Sequence, residues 1–595
     1  MTDDFLFYYN EELAHLRHRG AEFAAEHPKV ASRLRLSPDA IEDPFVGRLM
    51  EGFAFLTARL RQKLDDDLPE LTETVLDLLY PHLLAPVPST AILSFSPRPD
   101  LAEPYQLKAG TEIDSEAIEG ERCRFRSIYP VTLAPLIIGA AHLGSRAMTD
   151  PVPQALAGAR GLLHLSLARP PGAAEAPWPD RLRFFLRGPA QQAHRLYEML
   201  LNDAVAVAFR PKDGDGTPVD PIKIAGADCI TPVGFGADEG LLPYPRGTLL
   251  GYRLLCEYFA CPDKFMFVDI ALPPGLAGRG LDLAVHLSRW PADLERHVSA
   301  DSFALGCTPV VNLFPRTAEP LLLDHGAGTY RVVADARRPE AFEIYRVLDV
   351  RATRSDGTMR RFRPFFTGEP GEGFWRAARR PAPRGEASEV YLTLADPGGR
   401  PSELAGAVLG MDCLCFNRNL PAQLPFGGGR PDFTLAEGQP VRAITCLTPP
   451  SPVLRRGGSP GGQWRLMSHL ALNHLSLSDE PDAVAVLREI LALHDLRVSA
   501  ETLAAIEGLV ALTVVPGVAR VPGPHAGAFC RGLDVTLRFD EQRFSGAGPF
   551  LLASVLDRFL GLYCSVNSFT RTSLATSSGE IVKRWPARAG DRVLL

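Results

Sequence analysis

The sequence has no surplus of positive charge. Its 63 Lys and Arg stand against 70 Asp and Glu, a net charge of −7, so nothing global attracts a phosphate backbone or an anionic lipid leaflet. Only seven of the basic residues are lysine, a bias of composition to which no function attaches. No secretory signal is expected either, because MTDDFLFYYNEEL places acids where a basic n-region and an apolar h-region would be needed. The longest uncharged run, Ser127 to Ser145, has the length of a membrane span but carries Pro130 and Pro135, so no membrane helix is expected. The ten cysteines follow no disulfide framework, and the closest pair, Cys413 and Cys415, alternates like strand residues. Reduced thiols in a cytoplasm are the expectation. No fixed-period repeat is visible, which disfavours solenoids and propellers.

What the chain does have is ordinary globular material: 46% apolar and 22% charged residues over 595 positions. At roughly 150 residues per domain this length leads us to expect about four domains. The 53 prolines and 52 glycines demand many turns and short elements. Apolar spacing at Leu6, Tyr9, Leu13, Leu16 and Phe23 predicts a first amphipathic helix over Asp4 to about Glu26. Asp43 and Pro44 predict the cap and first residue of a second, continued by Val46, Leu49, Phe53, Leu56, Leu60 and Leu64. A third is expected from Leu68 and Pro69 to Pro81. Beyond Ala91 the runs AILSFS, RLRFFL and VAVAF read as strands. Helical spacing returns at Val484, Leu487, Ile490 and Leu491 and after Pro549 through Leu552, Val555, Leu556, Phe559 and Tyr563. Between them LDVTLRF alternates as a half-buried strand. The fold class is therefore α+β and multi-domain: a helical N-terminal module at 1–90, a β-rich middle lobe at 91–320, a second β-rich lobe at 321–440 and a mixed C-terminal lobe at 441–595.

The search for catalytic chemistry finds no positive signal. GFGADEG at Gly234 to Gly240 lacks the Lys and hydroxyl of a phosphate loop and reads as a turn. His469 and His474 are five apart, about 140° on a helix, so they do not share one ion. FSGAG around Ser545 lacks the first Gly of a nucleophile elbow. We expect no catalytic, cofactor-binding or metal-binding residue, no small-molecule substrate and no nucleic acid. The tail around Trp585, with Lys583, Arg584, Arg588 and Arg592, reads as a solvated tail or protein-docking arm ahead of a nucleic-acid contact.

Several long pieces, in order, resemble one family. They are FYYNEELAHLRHRGAEFAAEHPKVASRLRL with DPFVGRLMEGFAFLTARLRQKL near the start, YPRGTLLGYRLLCEYFACPDKFMF from Tyr244, CTPVVNLFPRTAEP from Cys307 and CFNRNLP from Cys415. WRLMSHLALNHLSL from Trp464, FCRGLDVTLRFDE from Phe529 and the segment from Ser565 to the end complete the set. The chain resembles the TssF family, also called ImpG or VasA, of type VI secretion baseplates. Small departures are Cys261 and His474, where the family is expected to carry aromatic residues. The resemblance implies a structural wedge subunit held with TssG and a second TssF copy, joined by TssE and TssK around a VgrG spike. It implies a cytoplasmic baseplate docked indirectly on an inner-membrane complex, with no enzymatic residue. The alternatives are a wedge protein of another phage-tail-like contractile apparatus, or a cytoplasmic hydrolase with dispersed active-site residues.

The first helix supplies candidate interface residues, Tyr8, Tyr9, Leu13 and Leu16, with Trp585 added from the tail; aromatic residues are enriched at interface cores. The same stripe also suits simple packing on the second helix. Leu13→Asp with Leu16→Asp separates the two: loss of assembly with a folded monomer marks an interface, and loss of the monomer's circular dichroism marks a core.

Overall fold

The sequence GLLHLSLA alternates between apolar and small or polar residues, and Gly161–Ala168 is a strand with Leu163, Leu165 and Leu167 turned inward. The structure, a computed structural model of the chain, describes Tyr9, Asn10, Glu12, Leu13, Leu16, Phe23 and Lys29 individually, then 43–65, 75–77 and 80–589. Outside it lie 146–157, 174–176, 214–215, 220, 246–247, 249, 325–327, 366–372, 383–385, 396–405, 436–437, 457–482, 521–528, 562–563 and 565–567. The chain divides into two units. One comprises Met1–Leu84 with Gly457–Leu472, the other Ala85–Arg456 with Asn473–Leu595.

In the first unit, helix α1 (Pro44–Asp65) begins at the expected place. The Asp43 carboxylate accepts the Phe45 N–H at 2.8 Å, and the Asp43 carbonyl accepts the Gly47 N–H at 3.0 Å. A side-chain oxygen thus satisfies one of the donors that every helix start leaves open. The first and third expected helices fall largely outside the described residues.

The second unit is mostly sheet. Strand 161–168 lies in a five-stranded sheet of order 223–226, 204–212, 280–287, 161–168, 137–145. The run that has the length of a membrane span thus ends in an edge strand. A four-stranded sheet orders 230–232, 267–271, 181–186, 303–304. A six-stranded sheet orders 433–435, 112–118, 121–127, 307–311, 90–97, 441–446. That sheet draws strands from both sides of the expected boundaries at 320/321 and 440/441. An eight-stranded sheet is built from 314–317, 408–416, 343–353, 359–364, 374–381, 388–395 and 330–332, with 321–322 beside 408–416. One continuous core joins the last two sheets, with Leu93, Phe95, Phe125, Phe314, Phe342, Val350, Met411 and Cys413 among its members.

Helices α2 (Ala190–Glu198), α3 (Leu250–Ala260), α4 (Ala483–His494), α5 (Ala500–Glu507) and α6 (Phe550–Gly561) sit among these sheets. The segment from Gly247 resolves as a helix, a 3₁₀ turn at Pro262–Phe265 and a buried strand at Phe267–Ala271. Leu487, Ile490 and Leu491 are buried on α4, and Leu552, Val555, Leu556 and Phe559 on α6. Tyr563 lies outside the described residues. The expected strand LDVTLRF is the second half of Phe529–Phe539, which pairs antiparallel with Leu509–Arg520 and parallel with Phe569–Ala575. Helix α6 makes the crossover between the two parallel strands. The fold is α+β.

His194 on α2 carries a pH consequence. Burial holds its imidazole neutral, lowering its pKa from 6.5 to about 4. A group whose folded pKa is depressed favours the unfolded chain once protons bind, so its contribution is complete above 6.5 and is lost as the pH falls toward 4. Thermal unfolding followed between pH 7 and 4 therefore shows a falling Tm, and His194→Leu reduces that slope.

Candidate functional site

Helix α1 is inverted with respect to an ordinary surface helix. Its small residues Ala54 and Ala58 are fully buried, whereas Phe45 is 84%, Leu49 75%, Phe53 56% and Leu56 62% exposed. At 100° per residue, positions 45, 49, 53 and 56 span one stripe about 80° wide. Gly52 lies about 20° beyond one edge of the stripe, and a Cβ there would meet nothing within 4 Å among the described residues. A mid-helix glycine costs about 1 kcal/mol relative to alanine. Among the described residues no close contact requires it. An exposed apolar patch of this kind marks a contact surface.

Two polar clasps hold the sheets of the second unit in register. Asn312 follows strand 307–311 and Asn417 follows strand 408–416. The Asn312 amide group donates to the Asn417 side-chain oxygen at 2.9 Å and to the Arg124 carbonyl at 2.8 Å. The Asn417 backbone N–H donates back to the Asn312 side-chain oxygen at 2.7 Å. CTPVVNLF and CFNRNLP, distant in sequence, thereby meet, and the six- and eight-stranded sheets are tied at one point.

The second clasp surrounds Lys264, whose side chain has no exposure. Its ammonium donates to Glu257 Oε2 and, at 2.7 Å, to the Gly234 carbonyl. Glu257 Oε1 accepts the Leu241 N–H at 2.7 Å, and Arg253 donates to the carbonyls of Gly236 and Ala237 at 2.7 and 2.8 Å. Glu239 accepts the N–H groups of Gly234 and Gly236, each at 2.8 Å. The Tyr129 hydroxyl donates to the Lys264 carbonyl at 2.8 Å. Burial pulls the ammonium below its ordinary pKa, with Glu257 acting in the opposite direction. Gly234 has φ +101, and a Cβ there would stand 2.9 Å from the Tyr129 hydroxyl, so only glycine fits. GFGADEG is thus a turn held by charge. Sequence reading missed this network, although Arg253 and Glu257 in an otherwise apolar helix, four apart, were its visible sign.

Of the expected interface residues, Tyr9, Leu13 and Leu16 are half-buried and Tyr8 lies outside the described residues. Trp585 is 7% exposed, its ring 5.8 Å from that of Phe550 and its backbone N–H donating to the Thr572 carbonyl at 3.0 Å, so in the single chain the ring is packed inward. Two of the tail's cations are also engaged: Lys583 donates to the Leu201 carbonyl at 2.9 Å, and Arg588 pairs with buried Asp557 at 2.5 Å. His469 and His474 lie outside the described residues. Cys413 and Cys415 are buried thiols, the latter pushed up to about 12 by burial. Among the described residues no group of three or more His, Cys, Asp or Glu could hold a metal ion, and no helix is long and apolar enough to cross a membrane.

A chain of several clasped sheets with an inverted apolar helix belongs to the class of assembly subunits, and the comparisons agree. It is similar to solved structures of type VI secretion baseplates. Against a chain of the TssK-TssF-TssG baseplate subcomplex it gives a TM-score of 0.70 at 28% identity, covering 92% of this chain and 99% of that one. Against a baseplate complex of the type VI secretion system the TM-score is 0.57 at 24% identity, covering 99% and 100%, a likeness of fold. It is 36% identical over 630 residues, the full length of both, to the type VI secretion system component TssF1 of Pseudomonas aeruginosa. The family model described as type VI secretion system, TssF, matches residues 1–592. The chain belongs to the TssF family and is a type VI secretion baseplate component.

Removing one partner of a buried ion pair leaves an uncompensated charge. Glu257→Gln or Lys264→Met is therefore expected to lower unfolding free energy by about 3 to 5 kcal/mol, measured by denaturant titration. Asn417→Ala costs a smaller ~1 to 3 kcal/mol.

Proposed function

We propose that the chain is a non-enzymatic wedge scaffold of a cytoplasmic baseplate, joined to TssG and a second copy of itself through its N-terminal helical segment. TssK and TssE complete the wedge around a VgrG spike, and the wedge docks indirectly on an inner-membrane complex to start tube and sheath polymerisation. The carrying observation is α1, whose large apolar side chains are exposed and whose alanines are buried. A chain folding for itself alone places those residues the other way round, because burying a Phe or Leu side chain gains about 1.5 to 3 kcal/mol. The related TssK-TssF-TssG subcomplex supports the choice of partners. Tyr8, Tyr9, Leu13 and Leu16 extend the same contact in this reading.

Co-expression with the TssG encoded beside it, affinity capture and native mass measurement test the proposal. Two copies of this chain per TssG are expected. Leu49→Asp with Phe53→Asp changes exposed positions, so Tm stays nearly constant while captured TssG falls at least tenfold. Ala54→Asp at a buried position does the opposite first and lowers Tm. A wild-type chain that stays monomeric beside TssG overturns the reading.

A further inference from the structure

The C-terminal hairpin presents a sheet face that its own helices cover only in part. Residues directly opposite in an antiparallel pair share a face, and Leu509–Arg520 pairs with Phe529–Phe539 through Leu512 and Leu537, Val514 and Val535, Pro516 and Leu533, Val518 and Arg531, Arg520 and Phe529. Along that face burial decays steadily. Phe539 and Leu537 are 0% exposed and Val535 4%, Leu533 is half-buried, and Val518 and Phe529 are 61% and 77% exposed. The opposite face does not behave this way, because Ala519 and Cys530 pack against Phe569 and Ala587. The covered end of strand 509–520 lies against α4 and α5. The helical layer stops and the apolar face continues.

The rim of the bare part is basic. Arg520 and Arg531 are exposed and make no ion pair among the described residues. Pro516 gives no N–H to the free edge of its strand, which disfavours a partner that adds a strand there. A second copy's α1 is a poor fit, because it carries Arg48, Arg59, Arg61 and Lys63 against Glu51 and Asp65, and like charges across an interface are repulsive.

We infer that this face takes an amphipathic, acid-flanked α-helix of another baseplate subunit, which continues the layer begun by α4 and α5 and pairs its carboxylates with Arg520 and Arg531. The inference rests on the wedge reading above, but it uses a surface separate from α1. The test is the wedge complex co-expressed with TssG, TssK and TssE, with Val518 replaced by the photoreactive residue benzoylphenylalanine. Irradiation is expected to join position 518 to an acid-flanked helical peptide of one of those partners, identified by mass spectrometry. In the same complex Arg520→Glu with Arg531→Glu lowers capture of that partner at least tenfold in 150 mM salt, while Arg520→Lys with Arg531→Lys retains it and all variants keep the wild-type Tm. Cross-links to a second copy, no cross-link within an assembled complex, or capture indifferent to charge reversal overturns the inference. If the unmodified chain assembles with none of these partners, the wedge reading itself fails and this inference with it.

Discussion

An ammonium without water around it sets the terms for the centre of the second unit. Lys264 is fully buried, and isolating a charge in a protein interior carries a penalty of several kcal/mol unless partners surround it. Its two partners belong to different pieces of chain, Glu257 to α3 and the Gly234 carbonyl to the loop after strand 230–232, and the backbone carbonyl of Lys264 itself accepts from Tyr129, on the connection leaving the six-stranded sheet. Satisfying the ammonium therefore fixes two elements against the Lys264 turn, and the carbonyl of that turn ties in a third. Helix α3 then fixes more, since Tyr252 stacks on His494 of α4 at 5.5 Å and meets Phe559 of α6 edge-on at 5.4 Å. The C-terminal helices are thus positioned by packing on a helix whose own place is dictated by charge.

A network of this sort is a poor source of stability and a good source of uniqueness. Apolar residues of similar volume often match or exceed a buried ion pair in stability, yet they accept several packings, whereas donors and acceptors in low dielectric accept few. The Asn312 and Asn417 clasp works likewise between the two large sheets. A sliding shift of one residue would separate the amides and leave buried polar groups unpaired. For a wedge scaffold of the kind proposed, the geometry would matter more than the margin of stability.

The sequence carried the local structure well and the tertiary logic poorly. Asp43 and Pro44 announced α1, the alternation in LDVTLRF announced its strand, and the long ordered pieces announced the family. Trp585 shows the limit: an aromatic in a basic tail reads as a surface feature, and only the pairing of 581–584 with 569–575 carries it onto Phe550. The sheet that draws strands from 90–97, 307–311 and 441–446 was equally illegible, because strand partners far apart in sequence leave no trace in periodicity. The same holds for Asn312 and Asn417, 105 residues apart. Periodicity reports which face is apolar; it does not report what covers that face.

That last distinction explains α1. Its stripe at Phe45, Leu49, Phe53 and Leu56 has the spacing of a core-facing helix, and from sequence it reads as one. The chain instead buries Ala54 and Ala58. Burial of small residues permits close approach but gains little hydrophobic free energy, so the larger gain stays unrealised within the described chain, as the proposed association requires. A subunit that completed its apolar packing alone would have no strong reason to associate. In the proposed reading, a subunit that leaves its largest side chains uncovered on a helix, while locking its sheets with internal polar clasps, would couple its association to burial of that stripe.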